Sequence, residues 1–523
     1  MTSLSKPEPS AGTLRDLMQG LGISDAPMWA DQVALGYAPF PSQFKTMQEM
    51  FHHERFADFS DAGTGKTFPM QMAATVYAFY GNKVLVIMPP TLCDQFDETF
   101  EEFFVGLKSH LHIHLLDESP AKRDQLMEQW WKEGWPDILM MSYQMFKKYA
   151  DQRREFKRKV KVEGRPRPVV ERKPNPYPNW LKKAGYNVII CDEAHALKNP
   201  GSDTHEKVWE YVTDTQGQYI LYLATGSPSG NTPECTYGLI RLKTPEAYHS
   251  KRHFDRNHVI LSDETKFRQV LGFKNLELLH KNLYKNAVRV SSEENRDWPE
   301  PRIVEVKVKL DPAHQKLYRQ VIKERMLEIP DGRIDATNDS KMRQLAKQLI
   351  SVPELYMEKK SPINMLRKQM DVVIEGINPA EKKIIIFAYY KATVAALAKH
   401  YAHLNPAVVN GASSDKTAQR KKFLNDPECR VIVVNWQSGG VGLNLQSVAH
   451  YILFAEIPTV PKDAWQAIAR ADRTGQTCQV IAYFFRVMKT ISGGHVRTLL
   501  NKDEVNNQVV KDKRTLEKYL LGE

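Results

Sequence analysis

The sequence predicts an α/β protein made of two parallel-sheet lobes with a helical insertion between them. Short apolar runs alternate with helical patterns over about 40–245 and again over about 366–490, the alternation expected of parallel strands covered by helices. The stretch between them, about 246–365, turns mainly helical. The length of 523 residues, 42% of them hydrophobic, is enough for two or three sizeable cores.

In the first lobe VLVIMPP (84–90), DILMMSY (137–143), VIICDEAH (188–195) and YILYLATGSP (219–228) read as buried strands that run into polar loops. In the second, KIIIFAYY (383–390), AVVNG (407–411), RVIVVNW (430–436), HYILFAE (450–456) and VIAYFF (480–485) do the same. Between them lie the helical KFRQVLGFKNLELLHKNLYKNAV, one alternating strand, IVEVKVKL (303–310), and joints at Pro299, Pro301 and Pro330. The expected divisions are an N-terminal extension (1–37), a first lobe (38–245), a connecting region (246–365), a second lobe (366–490) and a charged helical tail (491–523). One segment of the first lobe, 151–183, is rich in Lys, Arg and Pro and poor in apolar residues. It reads as a solvated excursion.

The formal charge of +11 gives a field that concentrates polyanions. No apolar run approaches the roughly 18 residues of a membrane span, and the start, MTSLSKPEPSAG, lacks a secretory apolar stretch. The expected location is therefore cytoplasmic or nucleoid-associated, nuclear in a eukaryote, with no membrane partner and no secretion. The five cysteines are scattered, without zinc spacing or reason for a disulfide framework, and read as small buried hydrophobes.

Two segments carry chemistry. SDAGTGKT (60–67) ends in GKT and leads into a helical run, so backbone N–H groups and a helix N-terminus can cradle phosphates. Lys66 would meet the β and γ phosphates of a nucleotide and the Thr67 hydroxyl would ligate magnesium; Ser60 stands where the full phosphate-loop pattern has Gly. In VIICDEAHALKNP a buried strand delivers Asp192 and Glu193 to the sheet's carboxyl edge, where open α/β sheets bind ligands. There Asp192 would hold magnesium through water, Glu193 would polarise the attacking water, and His195 could couple the site to other motifs.

DEAHALKNP, GGVGLNL (439–445) and QAIARADRTGQ (466–476) resemble, in order, the signature segments of Swi/Snf-type ATPases of helicase superfamily two. VLVIMPPTLCDQFDETF, ILMMSYQMF, LYLATGSPSGNTPECTYGLI and KIIIFAYYKATVAALAKHY resemble the family's intervening motifs, so that the likeness covers about 38–490. The resemblance implies two RecA-like lobes and a monomeric, DNA-dependent ATPase that uses ATP and magnesium to move along duplex or branched DNA, as in fork regression, branch migration or protein removal. Other readings are a strand-separating DNA or RNA helicase, and an ATP-gated DNA-binding or polymerase-recycling factor.

Carried over by position, Gln43 reads the adenine, Gly63, Thr64, Gly65, Lys66 and Thr67 form the triphosphate loop, and Thr225 and Ser227 link hydrolysis to lobe movement. Gln466 flanks the nucleotide from the second lobe. Arg470 and Arg473, three apart on what reads as a helix, share a face and would neutralise charge on the γ-phosphate, so the site completes when the lobes close. Asp472 stands where most of the family has histidine. Nucleic-acid contacts are expected from loops on the face opposite the nucleotide cleft: Pro90, Thr91, Ser142, Tyr143, Gly440, Asn444 and Leu445. Arg153 and Lys157, with their basic neighbours in the excursion, are expected to grip the DNA backbone.

Overall fold

The computed structural model describes residues 12–510 apart from 151–152, 163–164, 175–179, 214–217, 263–268, 295, 297, 330–331, 337, 357–363, 378–381, 411–415, 437–444 and 474. The chain divides into two compact units, Met1–Ser229 with Pro233–Asn295 and Gly230–Thr232 with Arg296–Glu523.

The first unit is built on seven strands in the order Ala287–Val288, Arg55–Asp58, Ile220–Ala224, Tyr186–Cys191, Lys83–Met88, Ile138–Ser142, Ile113–Leu115. Every neighbouring pair is parallel. Val84 to Met88, Ile138 to Met141 and Val188 to Cys191 are buried without a break, which is why these strands read as continuous apolar runs rather than alternating ones. Because all seven strands point one way, the loops that follow them leave from one edge. The loops after Met88 and Ser142 therefore share the carboxyl edge with the phosphate loop and lie further along it, not on an opposite face as the sequence suggested. Arg55–Asp58, which carries the phosphate loop, is only four residues long and gives no apolar run to find.

The second unit has six parallel strands in the order Arg302–Val308, Ile481–Val487, Ala449–Phe454, Lys383–Ala388, Val431–Asn435, Ala407–Val409. Alternate residues feed two cores. Ile385, Phe387, Ile432, Val434, Ile452, Phe454 and Phe484 enter one, while Ile384, Ile386, Val431, Val433, Leu453 and Phe485 enter the other. The alternating IVEVKVKL run is the edge strand of this sheet, parallel to Ile481–Val487 from Arg302↔Ile481 to Val308↔Val487. Helix Leu276–Tyr284 thus belongs to the first unit, and helices Pro312–Glu324, Asp339–Ser351 and Met365–Ile377 to the second.

Two other features differ from expectation. The basic excursion contains a hairpin, Arg153–Val162 antiparallel to Arg165–Pro174 with Arg153 opposite Pro174, favoured by the β-branched Val160, Val162, Val169 and Val170; the side chains of Arg153 and Lys157 lie outside those described. Of the cysteines, Cys93, Cys191 and Cys429 are buried, but Cys235 is partly exposed and Cys478 exposed, because Cys478 sits in the surface turn after Gln476. The final helix, Ile491–Val510, buries Leu499 and Val509.

Candidate active site

The phosphate loop links the edge of strand Arg55–Asp58 to helix Thr67–Phe79. Gly65 has φ +84, and a Cβ there would stand 2.4 Å from Gln43 Nε2, so glycine alone fits. Gln43 sits in the first turn of helix Pro41–Phe51. Its Oε1 accepts from Phe40 N (2.8 Å), and its Nε2 donates to the Gly65 carbonyl (2.9 Å) and to Tyr37 Oη (3.3 Å). The buried glutamine is thereby strapped to the loop it serves. Tyr37 had no sequence signal.

The start of the loop is held from a distant part of the chain. Ser60 Oγ accepts from Val290 N (2.9 Å), and Asp61 accepts from Arg289 Nη2 and Ser292 N, both at 3.0 Å. The departure from glycine at position 60 has a physical reason: the hydroxyl satisfies a buried backbone donor. Lys66 is folded across its own loop, donating to the Ser60 and Asp61 carbonyls at 2.7 Å each.

Strand Ile220–Ala224 lies between the strand of the phosphate loop and Tyr186–Cys191, so the three following loops are neighbours. Asp192 is buried, with Oδ1 accepting from Glu193 N at 2.7 Å. Burial, aided by the Glu193 charge, pushes Asp192 up to about 7, while Lys66 pulls it down. Asp58, also buried, is raised by burial against the same Lys66, which places lysine and both carboxylates in one electrostatic environment. Buried oxygen donors of this kind suit a hard divalent cation. Glu193 adopts φ +48, a left-handed conformation that costs energy for a side chain larger than glycine. Its Oε2 lies 2.8 Å from His195 Nδ1, which in turn is 3.3 Å from Thr225 Oγ1. The next residue, Gly226, packs so closely that a Cβ would meet Ala62 N at 2.9 Å. Ser227 N donates to Thr225 Oγ1 at 3.2 Å. Glu193 is thus joined through His195 to the loop after Ala224.

The candidate DNA residues separate by burial. Pro90 and Thr91 are exposed, and Ser142 Oγ accepts from Met145 N at 3.2 Å. Tyr143 is buried and donates its hydroxyl to the Asp192 carbonyl at 2.8 Å; it supports the acidic strand end and does not face solvent. Gly440 and Asn444 lie outside the described residues, and Leu445 is buried.

In the second unit the arginines are not on a helix. Pro461–Ile468 ends before them, and Arg470 and Arg473 occupy the turns that follow. The Arg470 carbonyl accepts from Leu445 N at 3.1 Å, a partner outside the segment that draws the chain off the helical path. Burial and the like charges of Arg470 and Arg420 push Arg473 down to about 10. Arg473 thus lies near two like charges, an environment that favours an anion. Arg420, on helix Lys416–Asn425, was not singled out from the sequence, where nothing brings it near position 473. Gln466 is buried on helix Pro461–Ile468. Gln476 is structural, its Nε2 donating to the Ala449 and Ala471 carbonyls and its Oε1 accepting from Thr477 N and Cys478 N.

A glycine-bearing loop at a helix N-terminus, with the buried Asp192 and its neighbour Glu193 just past the end of a nearby strand, defines a nucleotide hydrolase of the phosphate-loop kind. The model of the SNF2-related domain matches residues 28–359 and that of the helicase conserved C-terminal domain residues 367–475; the chain belongs to the SNF2-related family and is an ATPase of helicase superfamily two. It is similar to the uncharacterized ATP-dependent helicase YqhH of Bacillus subtilis, with 22% identity over 91% of this chain and 80% of that one. It is also similar to the ATP-dependent helicase FUN30 of Saccharomyces cerevisiae, with 21% identity over 83% of this chain and 42% of the yeast protein. The nuclear protein STH1/NPS1 of the same yeast is 24% identical over 61% of this chain, which spans a quarter of that protein. Among solved structures, the Sulfolobus solfataricus SWI2/SNF2 ATPase core in complex with dsDNA aligns over 91% of this chain and 94% of that one, with 18% identity and a TM-score of 0.38.

Proposed function

We propose that the protein is a DNA-dependent ATPase that translocates along duplex or branched DNA, the activity behind fork regression, branch migration or protein removal. The observation that carries the reading is the division of one catalytic set between two separately folded units. Lys66, Asp192 and Glu193 belong to the first and Arg470 and Arg473 to the second. A γ-phosphate needs both sets, the lysine and the hydrolysis pair on one side and guanidinium groups to take up developing charge on the other. Turnover then demands that the units meet around each ATP and part after it, and a cycle of closing and opening on a bound strand is directed movement.

Magnesium fits the first unit's donors. Thr67 opens the helix after the loop, and the buried Asp192 carboxylate, pushed up by burial, gains from a nearby cation. Few protein ligands are needed, since magnesium keeps waters and takes phosphate oxygens. Once bound, it would neutralise phosphate charge; Glu193 would orient and deprotonate the water, held to that task by His195. Pro90, Thr91 and Ser142, on the same edge, are the proposed phosphate contacts of the DNA, and the basic hairpin is proposed as a further one.

ATP turnover measured with no DNA, duplex, fork and single strand tests the reading. Stimulation by duplex or fork DNA is expected. Equal turnover in all four would contradict it, and displacement of an annealed strand would make the protein a strand-separating helicase instead.

A further inference from the structure

The second unit holds a cavity of about 520 Å³, a size common for small-ligand sites. Three adjacent parallel strands, Ala449–Phe454, Lys383–Ala388 and Val431–Asn435, build it from the loops at their carboxyl ends, where open α/β sheets bind ligands. Tyr389 and Tyr390 follow the second of these strands, Trp436 follows the third, and Glu456 lies two residues past the first; all four line the cavity. Helix Asp339–Ser351 adds Arg343 and Lys347, four apart and so on one face.

The walls are held by the fold itself. Glu456 Oε1 accepts from Ser351 Oγ at 2.7 Å and from Thr393 Oγ1 at 2.9 Å, and its Oε2 accepts from Tyr389 N at 2.5 Å and Tyr390 N at 3.2 Å. One carboxylate thus fixes the backbone of the tyrosine pair to the end of the helix that carries Arg343 and Lys347. Trp436 packs on Phe387 and Phe454, with ring centroids 5.0 and 5.1 Å away, and its Nε1 is a buried donor without a hydrogen-bond partner. Tyr389, by contrast, is 44% exposed, and Lys347 Nζ lies 5.8 Å from its ring centroid.

These groups favour one chemistry. Burial pushes the Lys347 ammonium down, and Glu456 offsets that only in part, so an anion beside it is favourable. Arg343 is exposed on the same helix face. The other acid of the lining, Asp463, lies in the first turn of helix Pro461–Ile468, where its charge complements the positive helix end. Cations for a phosphate beside an exposed aromatic ring for a base are the pairing by which single-stranded nucleic acid is held.

We propose that this cavity is a second nucleotide site, apart from the phosphate loop, that seats an aromatic base on Tyr389 and a phosphate on Lys347 and Arg343. An unpaired residue of DNA and a free mononucleotide share that chemistry; the choice of DNA rests on the translocase reading, while the site itself does not.

The test is the fluorescence of 2-aminopurine, which is quenched when the base stacks on an aromatic ring. The full chain is titrated into a short oligothymidine carrying one central 2-aminopurine, and separately into 2-aminopurine deoxynucleoside monophosphate. Saturable quenching is expected. Tyr389→Ala should weaken binding about tenfold, as loss of one base–aromatic stack does, and Tyr389→Trp should retain it. Arg343→Ala with Lys347→Ala should lower the log–log salt slope by roughly 0.7, the share of one single-strand phosphate. Thermal unfolding checks each variant, and if Lys347→Ala fails to fold, the exposed Arg343→Ala carries the charge arm. Quenching of the oligonucleotide alone identifies DNA as the source, and equal affinity for the monophosphate identifies free nucleotide. No quenching of either probe, quenching that Tyr389→Ala leaves unchanged, or Tyr389→Trp as weak as Tyr389→Ala overturns the proposal. DNA-stimulated ATP turnover without quenching would remove this site and leave the motor, whereas quenching without stimulation would leave the site and remove the motor.

Discussion

His195 Nδ1 lies 2.8 Å from Glu193 Oε2 and 3.3 Å from Thr225 Oγ1, so one imidazole joins Glu193, the proposed activator of water, to the loop that follows the neighbouring strand. Glu193 reaches it from a left-handed backbone, a strained conformation that the surrounding structure must hold in place.

Glu193→Gln should therefore keep ATP binding and lose turnover by about two to four orders of magnitude, the usual span of general base catalysis. His195→Ala should cost about tenfold in kcat, roughly 1.4 kcal/mol of barrier, because the carboxylate remains but loses its guide. Nucleotide affinity by fluorescence titration and turnover by phosphate release check both.

Gln43→Ala removes the bonds to Phe40 N and the Gly65 carbonyl. ATP affinity should fall about tenfold, in line with roughly 1–1.5 kcal/mol for lost hydrogen bonds. Gly65→Ala should be worse, since its Cβ would displace Gln43 and occupy a left-handed backbone; calorimetric titration with a non-hydrolysable ATP analogue gives the comparison.

Much of this site was legible because the residues that carry it are contiguous. SDAGTGKT leads into a helical run and CDEAH ends an apolar strand, and the order of the remaining segments placed both lobes. What the sequence hid are partners brought together by folding. Arg289 and Ser292 reach Asp61 across more than two hundred residues, and Arg296 reaches Asp472 across 176. Tyr143 looked like a loop residue because it ends an apolar run, yet its hydroxyl has a buried acceptor. Arg470 and Arg473 had helical spacing, but a hydrogen bond from Leu445 to the Arg470 carbonyl bends that segment. The alternating run at 303–310 showed its strand but not its sheet.

Lys243 gives a pH test of the first unit. It is 2% exposed and donates to the Lys285 carbonyl, and burial pushes it down to about 7 from an ordinary 10.5. Between those values the unfolded chain holds a proton that the folded one does not, so this group's contribution makes stability rise with pH across the window, by an amount on the order of a few kcal/mol. Urea unfolding at pH 7, 8.5 and 10 should show that rise in wild type relative to Lys243→Met; parallel curves would remove the effect.

Neutralising Arg153, Arg154, Lys157, Arg158, Lys159 and Lys161 in the basic hairpin should weaken DNA binding and flatten its salt dependence by roughly 0.9 log–log units per lost phosphate contact. ATP affinity should not change. Titrations of wild type and variant at several salt concentrations measure both, and superimposable slopes would leave the hairpin without a DNA role.

The most direct test of the account is displacement of a labelled third strand from a DNA triplex, which requires movement along the duplex rather than hydrolysis alone. With ATP and magnesium the wild-type protein should strip the third strand, while Glu193→Gln and Arg473→Ala bind the duplex and leave the triplex intact. Vigorous DNA-stimulated hydrolysis by the wild type with the third strand still in place would contradict the account.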